Sequence, residues 1–167
     1  MNRLAALLPV ALLAACASVP KAPPELDRAA KEFKATPGKA NLYVFRDESL
    51  GAAVKMSVAL DGAPLGDTAA KTFLLKTVAP GKHALVSKAE NEDTLEFVAK
   101  PGENVFVWQE VKMGFGSARS KLSLVDAASA QPRVAQCELA VGGNVPLPAA
   151  PPAAPAPATE PAAVPGT

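Results

Sequence analysis

The 167-residue chain is poor in the residue types from which most catalytic centres are built: one histidine, two cysteines, one tryptophan, one tyrosine and only 5% aromatics. A lone imidazole has no second one with which to hold zinc, and two cysteines without a Cys-x-x-Cys spacing give no redox pair. Charge of one sign is lacking too. Seventeen Lys and Arg against sixteen Asp and Glu leave a formal net charge of +1, which argues against a nucleic-acid partner held by charge. What the chain has in quantity is proline, 17 residues beside 11 glycines, in a composition that is 49% hydrophobic. This length suits one modest domain, and that much proline leaves part of it outside a packed core.

Met1-Asn2-Arg3 supplies a short basic start, and Leu4 to Leu13 follows as an apolar run of about ten residues. That length suits a signal-peptide core and falls short of the ~20 residues a bilayer span needs. The run closes on Leu13-Ala14-Ala15-Cys16, which resembles the lipobox of bacterial lipoproteins: a branched residue, two small ones that admit the peptidase, then the cysteine that receives lipid. Residues 1–15 are thus read as a cleaved signal and Cys16 as the lipidated N-terminus; the alternative is an uncleaved buried hairpin helix with an incidental cysteine. Acyl chains such as palmitate contribute about 0.8 kcal/mol per buried methylene, so the protein is expected to be anchored rather than spanning. Ala17 and Ser18 in place of an aspartate imply, by the same resemblance, the periplasmic face of the outer membrane rather than the inner membrane.

Residues 16–39 read as a tether, with Pro20, Pro23 and Pro24 opposing regular structure and letting the domain stand off the membrane. Glu25 to Ala35 carries Leu26, Ala29, Ala30 and Phe33 at helical spacing before Thr36-Pro37-Gly38, a short helix packed on the domain edge or, alternatively, lying on lipid. Residues 140–167 read as a disordered tail. Eight prolines and one charge, Glu160, lie from Pro146 onward, a composition suited to a passive extended segment, a spacer or a ligand for an aromatic groove.

Between these ends, residues 40–139 read as seven short strands: 42–46, 56–60, 72–78, 83–87, 94–98, 104–111 and 121–125. Asp61-Gly62, Pro80-Gly81 and Pro101-Gly102 punctuate them. This spacing predicts a mainly β, antiparallel, about seven-stranded sandwich, or a small barrel. Met56, Val58 and Leu60, Val105 and Val107, and Leu122 and Leu124 are the predicted inward sets, with Phe106 and Trp108 competing on the opposite face. Ala127 to Leu139 suggests one or two helical turns across an open edge, limited by Pro132.

Ala40-Asn41-Leu42-Tyr43-Val44-Phe45-Arg46, Leu60-Asp61-Gly62-Ala63-Pro64-Leu65-Gly66, Ala79-Pro80-Gly81-Lys82-His83 and Cys137-Glu138-Leu139 together resemble a bacterial lipoprotein family, domain of unknown function 2846, over roughly 39–139. The middle part is also similar to the PEGA and carboxypeptidase-regulatory β-sandwich modules. The resemblance implies fold and location; the family has no established activity and no assigned catalytic residues, and no cofactor is expected.

Several residues could carry chemistry. His83 heads a strand and reads as an exposed strand-start residue; a Ser-His-Asp triad would need it, yet no Gly-x-Ser-x-Gly elbow is present. Gly114-Phe115-Gly116-Ser117 lacks the remainder of a phosphate loop and reads as a mobile loop with an exposed aromatic. Glu90, Glu92, Asp93 and Glu96 form the densest acidic stretch, a calcium candidate or a solvated hairpin tip. Tyr43, Arg46 and Trp108 would form a carbohydrate platform if they shared an exposed face. Cys137, left unpaired once Cys16 is lipidated, is either buried and inert or a disulfide partner. Ten Lys or Arg against eleven Asp or Glu from Ala40 to Asp126 give no strong field. The expected function is a non-enzymatic envelope lipoprotein, an interaction or structural accessory module with a protein or peptidoglycan partner. A glycan-binding module is the alternative, and a hydrolase is the third.

Overall fold

The computed structural model describes residues 17–142. Leu13, Ala14, Ala15 and Cys16 lie outside the described residues, as does the tail from residue 143. Two sheets stack as a sandwich. The larger has the order β8 (Ala118–Val125), β7 (Asn104–Met113), β1 (Ala40–Arg46), β4 (Thr72–Val78), β9 (Glu138–Leu139); the smaller has β3 (Ala63–Thr68), β2 (Met56–Leu60), β5 (Gly81–Lys88), β6 (Glu92–Ala99). Helices α1 (Pro24–Ala30) and α2 (Ala127–Ala135) complete it.

All seven expected strands are present, within two larger corrections. The arrangement is mixed, because β7 runs parallel to β1 and β9 parallel to β4. Residues 63–68 form a further strand although Pro64 spoils their pattern; β3 is a sheet edge, where a missing N–H leaves no ladder bond unmade, and the register shifts between Val58 and Ala59, the latter paired with Pro64.

Alternating positions of β1 separate two cores. Leu42 and Val44 face the smaller sheet with Val58, Leu74, Leu85 and Val107. Tyr43 and Phe45 point the other way, beside Phe73 and Phe106, and α1 and α2 cover them with Ala30, Ala130 and Val134. Both faces of β7 are therefore buried, which resolves the competition between Val105/Val107 and Phe106/Trp108. Leu124 departs from its predicted inward set at 54% exposure, since it lies next to the last residue of an edge strand.

The helices also differ from expectation. α1 stops at Ala30, short of Ala35, and Phe33 adopts a left-handed φ of 51° that turns its ring back onto Tyr43 and Phe106, at 5.4 and 5.8 Å between centroids. α2 covers the aromatic face rather than an open edge. Asp126 caps it by accepting the Ser129 N–H at 2.9 Å, and Pro132 lies inside it without ending it.

The expected free tether is part of the wall. Ala17 N–H donates to Ala52 O at 3.0 Å, Val19 is buried in the aliphatic core, and Ala22 N–H donates to Leu139 O at 2.8 Å. Lys21 bridges Ala140, and Val141 N–H donates to Pro20 O at 2.8 Å. Residues 140–142 thus belong to the fold and not to the tail.

The register gives the sandwich two unlike ends. The 61–62, 79–80 and 100–103 turns gather at one, here the turn end; the 47–55, 89–91 and 114–117 connections gather at the other, the loop end.

Candidate functional site

The aromatic face is committed to packing. Tyr43 is 2% exposed, its hydroxyl donates to Ala30 O at 3.0 Å, and burial pushes its pKa up to about 12. Arg46 lies on the opposite face of β1, wholly buried. The proposed platform of Tyr43, Arg46 and Trp108 is therefore not brought together, because alternate residues of a strand face opposite ways. Trp108 is half-buried under Arg133, whose guanidinium stacks at 4.1 Å on its ring and 4.9 Å on Phe45. Nε and Nη2 of Arg133 each donate to Asp47 at 2.8 Å, clamping α2 to the loop after β1. Burial works to raise the Asp47 pKa, but the Arg133 hydrogen bonds and charge outweigh it and hold the carboxyl below its ordinary value.

Arg46 organises the loop end from inside. Its Nη1 donates to Val54 O at 2.7 Å, and its Nη2 to Leu50 O and Gly51 O at 3.1 and 2.6 Å. Burial pulls its pKa down, opposed by nearby Glu48. Glu48 in turn is raised, by burial first and by Asp47 second. Beside them runs a buried polar chain: Thr68 Oγ1 donates to Gln109 Oε1, Gln109 Nε2 donates to Ser87 Oγ at 2.6 Å, and Ser87 pairs with Ser120 at 2.6 Å. It joins four strands across both sheets, and hydrogen bonding offsets the cost of burying those groups.

The acidic stretch is a solvated hairpin tip, as expected, with Glu90, Glu92 and Glu96 exposed, but Glu90 and Asp93 are also structural. Glu90 accepts the N–H groups of Phe115, Gly116 and Ser117 at 2.9, 2.9 and 2.6 Å, and these hold its carboxyl below the ordinary range. Asp93 accepts Leu122 N–H at 2.6 Å, Asn91 exchanges two bonds with the Ser120 backbone, and Glu92 pairs with Lys88 at 3.1 Å. Asn91 and Asp93 thereby stitch the β5–β6 hairpin to β8 across the sandwich seam. The loop Gly114-Phe115-Gly116-Ser117 is accordingly clamped, not mobile as expected, although its aromatic is fully exposed.

His83 is less exposed than expected, its side chain only 11% accessible. Its Nδ1 lies 2.7 Å from Asp61 Oδ2, its Nε2 lies 2.8 Å from Ala79 O, and its ring stacks 5.5 Å from Phe97. Both partners only accept, so the imidazolium, which donates twice, satisfies them, and the Asp61 bond raises the His83 pKa. Cys137 is buried against Arg46 O, and burial pushes its thiol up to about 12, a poor nucleophile.

What remains accessible and unexplained is apolar. Leu50, Met113 and Phe115, at 50%, 80% and 108% exposure, gather at the loop end, and they are the candidate functional residues. The sequence singles out only Phe115; Leu50 lies in a loop, and Met113, in phase with Val107 and Val111, carries no signal that it would be exposed. Among the described residues no three His, Cys, Asp or Glu side chains converge to hold a metal.

A model for a family described as a protein of unknown function, DUF2846, matches residues 36–121. The chain belongs to the DUF2846 family. An uncharacterized protein of Haemophilus influenzae is 31% identical over 132 residues, covering 78% of this chain and 79% of the relative. The DUF2846 match runs from just before β1 to the middle of β8, so α1 and α2, which cover the aromatic face, and the edge strand β9 lie outside it.

Proposed function

We propose that this DUF2846 protein is a lipoprotein anchored by Cys16 to the periplasmic face of the bacterial outer membrane, acting as a non-enzymatic interaction or structural accessory module for an envelope protein. The observation that carries the reading is the continuity between the lipobox and the fold: Ala17, the next residue, already donates to Ala52, and Val19 is core. A chain cut before Cys16 would keep every described residue and lose only the signal. A binding role suits the side chains too. The imidazole of His83, the carboxylate of Glu90 and the thiol of Cys137 are all engaged in holding the fold.

Two measurements test this. Mass spectrometry of the N-terminal peptide should show a diacylglyceryl-modified Cys16, with palmitate incorporation abolished by Cys16→Ala; an unmodified, soluble wild-type chain overturns the anchor. Crosslinking in intact envelopes should recover one protein partner from wild type and lose it in Cys16→Ala, and comparison with a chain ending at Gly142 reads the contribution of the tail. Sedimentation of the protein with purified peptidoglycan would instead mark a glycan-binding module.

A further inference from the structure

We propose that the loop end of the sandwich beds into the bilayer, with Leu50, Met113 and Phe115 entering the boundary between headgroups and acyl chains of the membrane that holds Cys16. The inference rests on the lipid-anchor reading and adds the face by which the domain meets the lipid. Five large apolar residues stand exposed among those described, and three of them share this end; Val98 and Leu124 lie toward the other. The chain leaves the described fold here as well. Ala17 is bonded to Ala52, two positions from Leu50, and a Cβ on the intervening Gly51 would lie 3.1 Å from Val111 and 3.3 Å from Ala118, at the root of the hairpin that carries Met113 and Phe115. Cys16 is one residue, about 3.8 Å between Cα atoms, beyond Ala17. Lipid attached there has no slack with which to hold the domain away from the surface.

The hairpin tip is built for such contact. Glu90 takes the N–H groups of residues 115, 116 and 117, so those donors stay paired while its exposed carboxylate remains at the level of the headgroups. Any Cβ at Gly114 would meet Ser117 O at 2.2 Å and Glu90 Oε2 at 2.6 Å, so the loop closes this tightly only with glycine. Phe115 is thus presented on an ordered loop, and little conformational freedom remains to be lost on insertion. Lys55 is exposed on the same loop as Leu50, where its stem can lie on apolar surface with the ammonium group at phosphate level, and Lys112, also exposed, is paired with Glu110.

The test uses the full lipidated protein in vesicles of phosphatidylethanolamine and phosphatidylglycerol, with a nitroxide on Ser117→Cys or, at the turn end, on Lys100→Cys. Buried Cys137 stays unlabelled. The expected result is a label at 117 that collides more with oxygen than with a water-soluble nickel complex, the reverse at 100, and loss of immersion at 117 when Leu50, Met113 and Phe115 are all changed to Ser. Equal water exposure at 117 and 100 in protein that still floats with vesicles overturns the docking face and leaves the anchor standing. A label at 117 shielded from both reagents means that a protein surface, such as a second copy, covers the patch, and also overturns it. Protein that is unmodified at Cys16 and fails to float removes both readings.

Discussion

The turn end and the loop end close the same two sheets by different means. At the turn end each connection is short: Asp61 and Gly62 hold φ values of 51° and 79°, the paired positive angles of a two-residue hairpin turn, and His83 links the 61–62 turn to the 79–80 turn through Asp61 and Ala79. At the loop end the 47–55 connection is much longer, and charged side chains hold the loops through their backbone groups or through one another. Arg46 binds the 50–54 carbonyls, Arg133 binds Asp47, and Glu90 binds the 115–117 amides. Tight turns close one end, whereas charged side chains bound to loop backbone hold Leu50, Met113 and Phe115 out in water at the other.

The contrast predicts where damage is greatest. Arg46→Met should cost about 3 kcal/mol of unfolding free energy, read from urea midpoints, because three carbonyls lose their donor at once. It should also open residues 47–55 to proteolysis while the turn end keeps its amide protection. An unchanged midpoint would mean that the loop holds itself.

Arg133→Met should cost about 2 kcal/mol, through two charge-assisted bonds and the stack on Trp108. The Asp47 pKa lies below 3.8 in the fold, so its contribution is present above 3.8 and lost as pH falls through the folded value. The variant should therefore lose part of the acid-side slope of stability. Retention of that slope would assign it to other carboxylates.

The smallest effect belongs to the turn end. Because the folded His83 pKa lies above 6.5, its contribution is complete below 6.5 and lost as pH rises through the folded value. In His83→Gln the fall in Tm from pH 6 to 8.5 should shrink by about 1–3 °C, modest because the Asp61 partner is solvent-exposed. A shift as large as that of Arg133→Met would erase the distinction between the ends.

Period-two alternation with Gly, Pro, Asn and Asp punctuation was enough to find seven strands and the tight turns between them, since those signals act over a few residues. β3 was hidden by Pro64, harmless only because the strand lies at an edge, and β9 by its length of two residues. The candidate patch was legible only at Phe115. The Tyr43, Arg46 and Trp108 platform failed because alternation separates Arg46 from Tyr43, and the helices that cover the aromatic face come from opposite ends of the domain.

Composition and pattern alone determined a β-rich domain, a short apolar N-terminal run ending at Cys16 and a proline-rich C-terminal segment, because each is written in contiguous residues. Only the tertiary structure decided that the presumed tether is a wall of the sandwich, that the acids of the 90–93 turn hold the neighbouring hairpin, and that Leu50, Met113 and Phe115 share an end beside Ala17. Those outcomes depend on hydrogen bonds between groups far apart in the chain, such as Ala17 with Ala52 and Glu90 with Ser117. Whether such groups meet is set by how the sheets stack, which no local run of residues specifies.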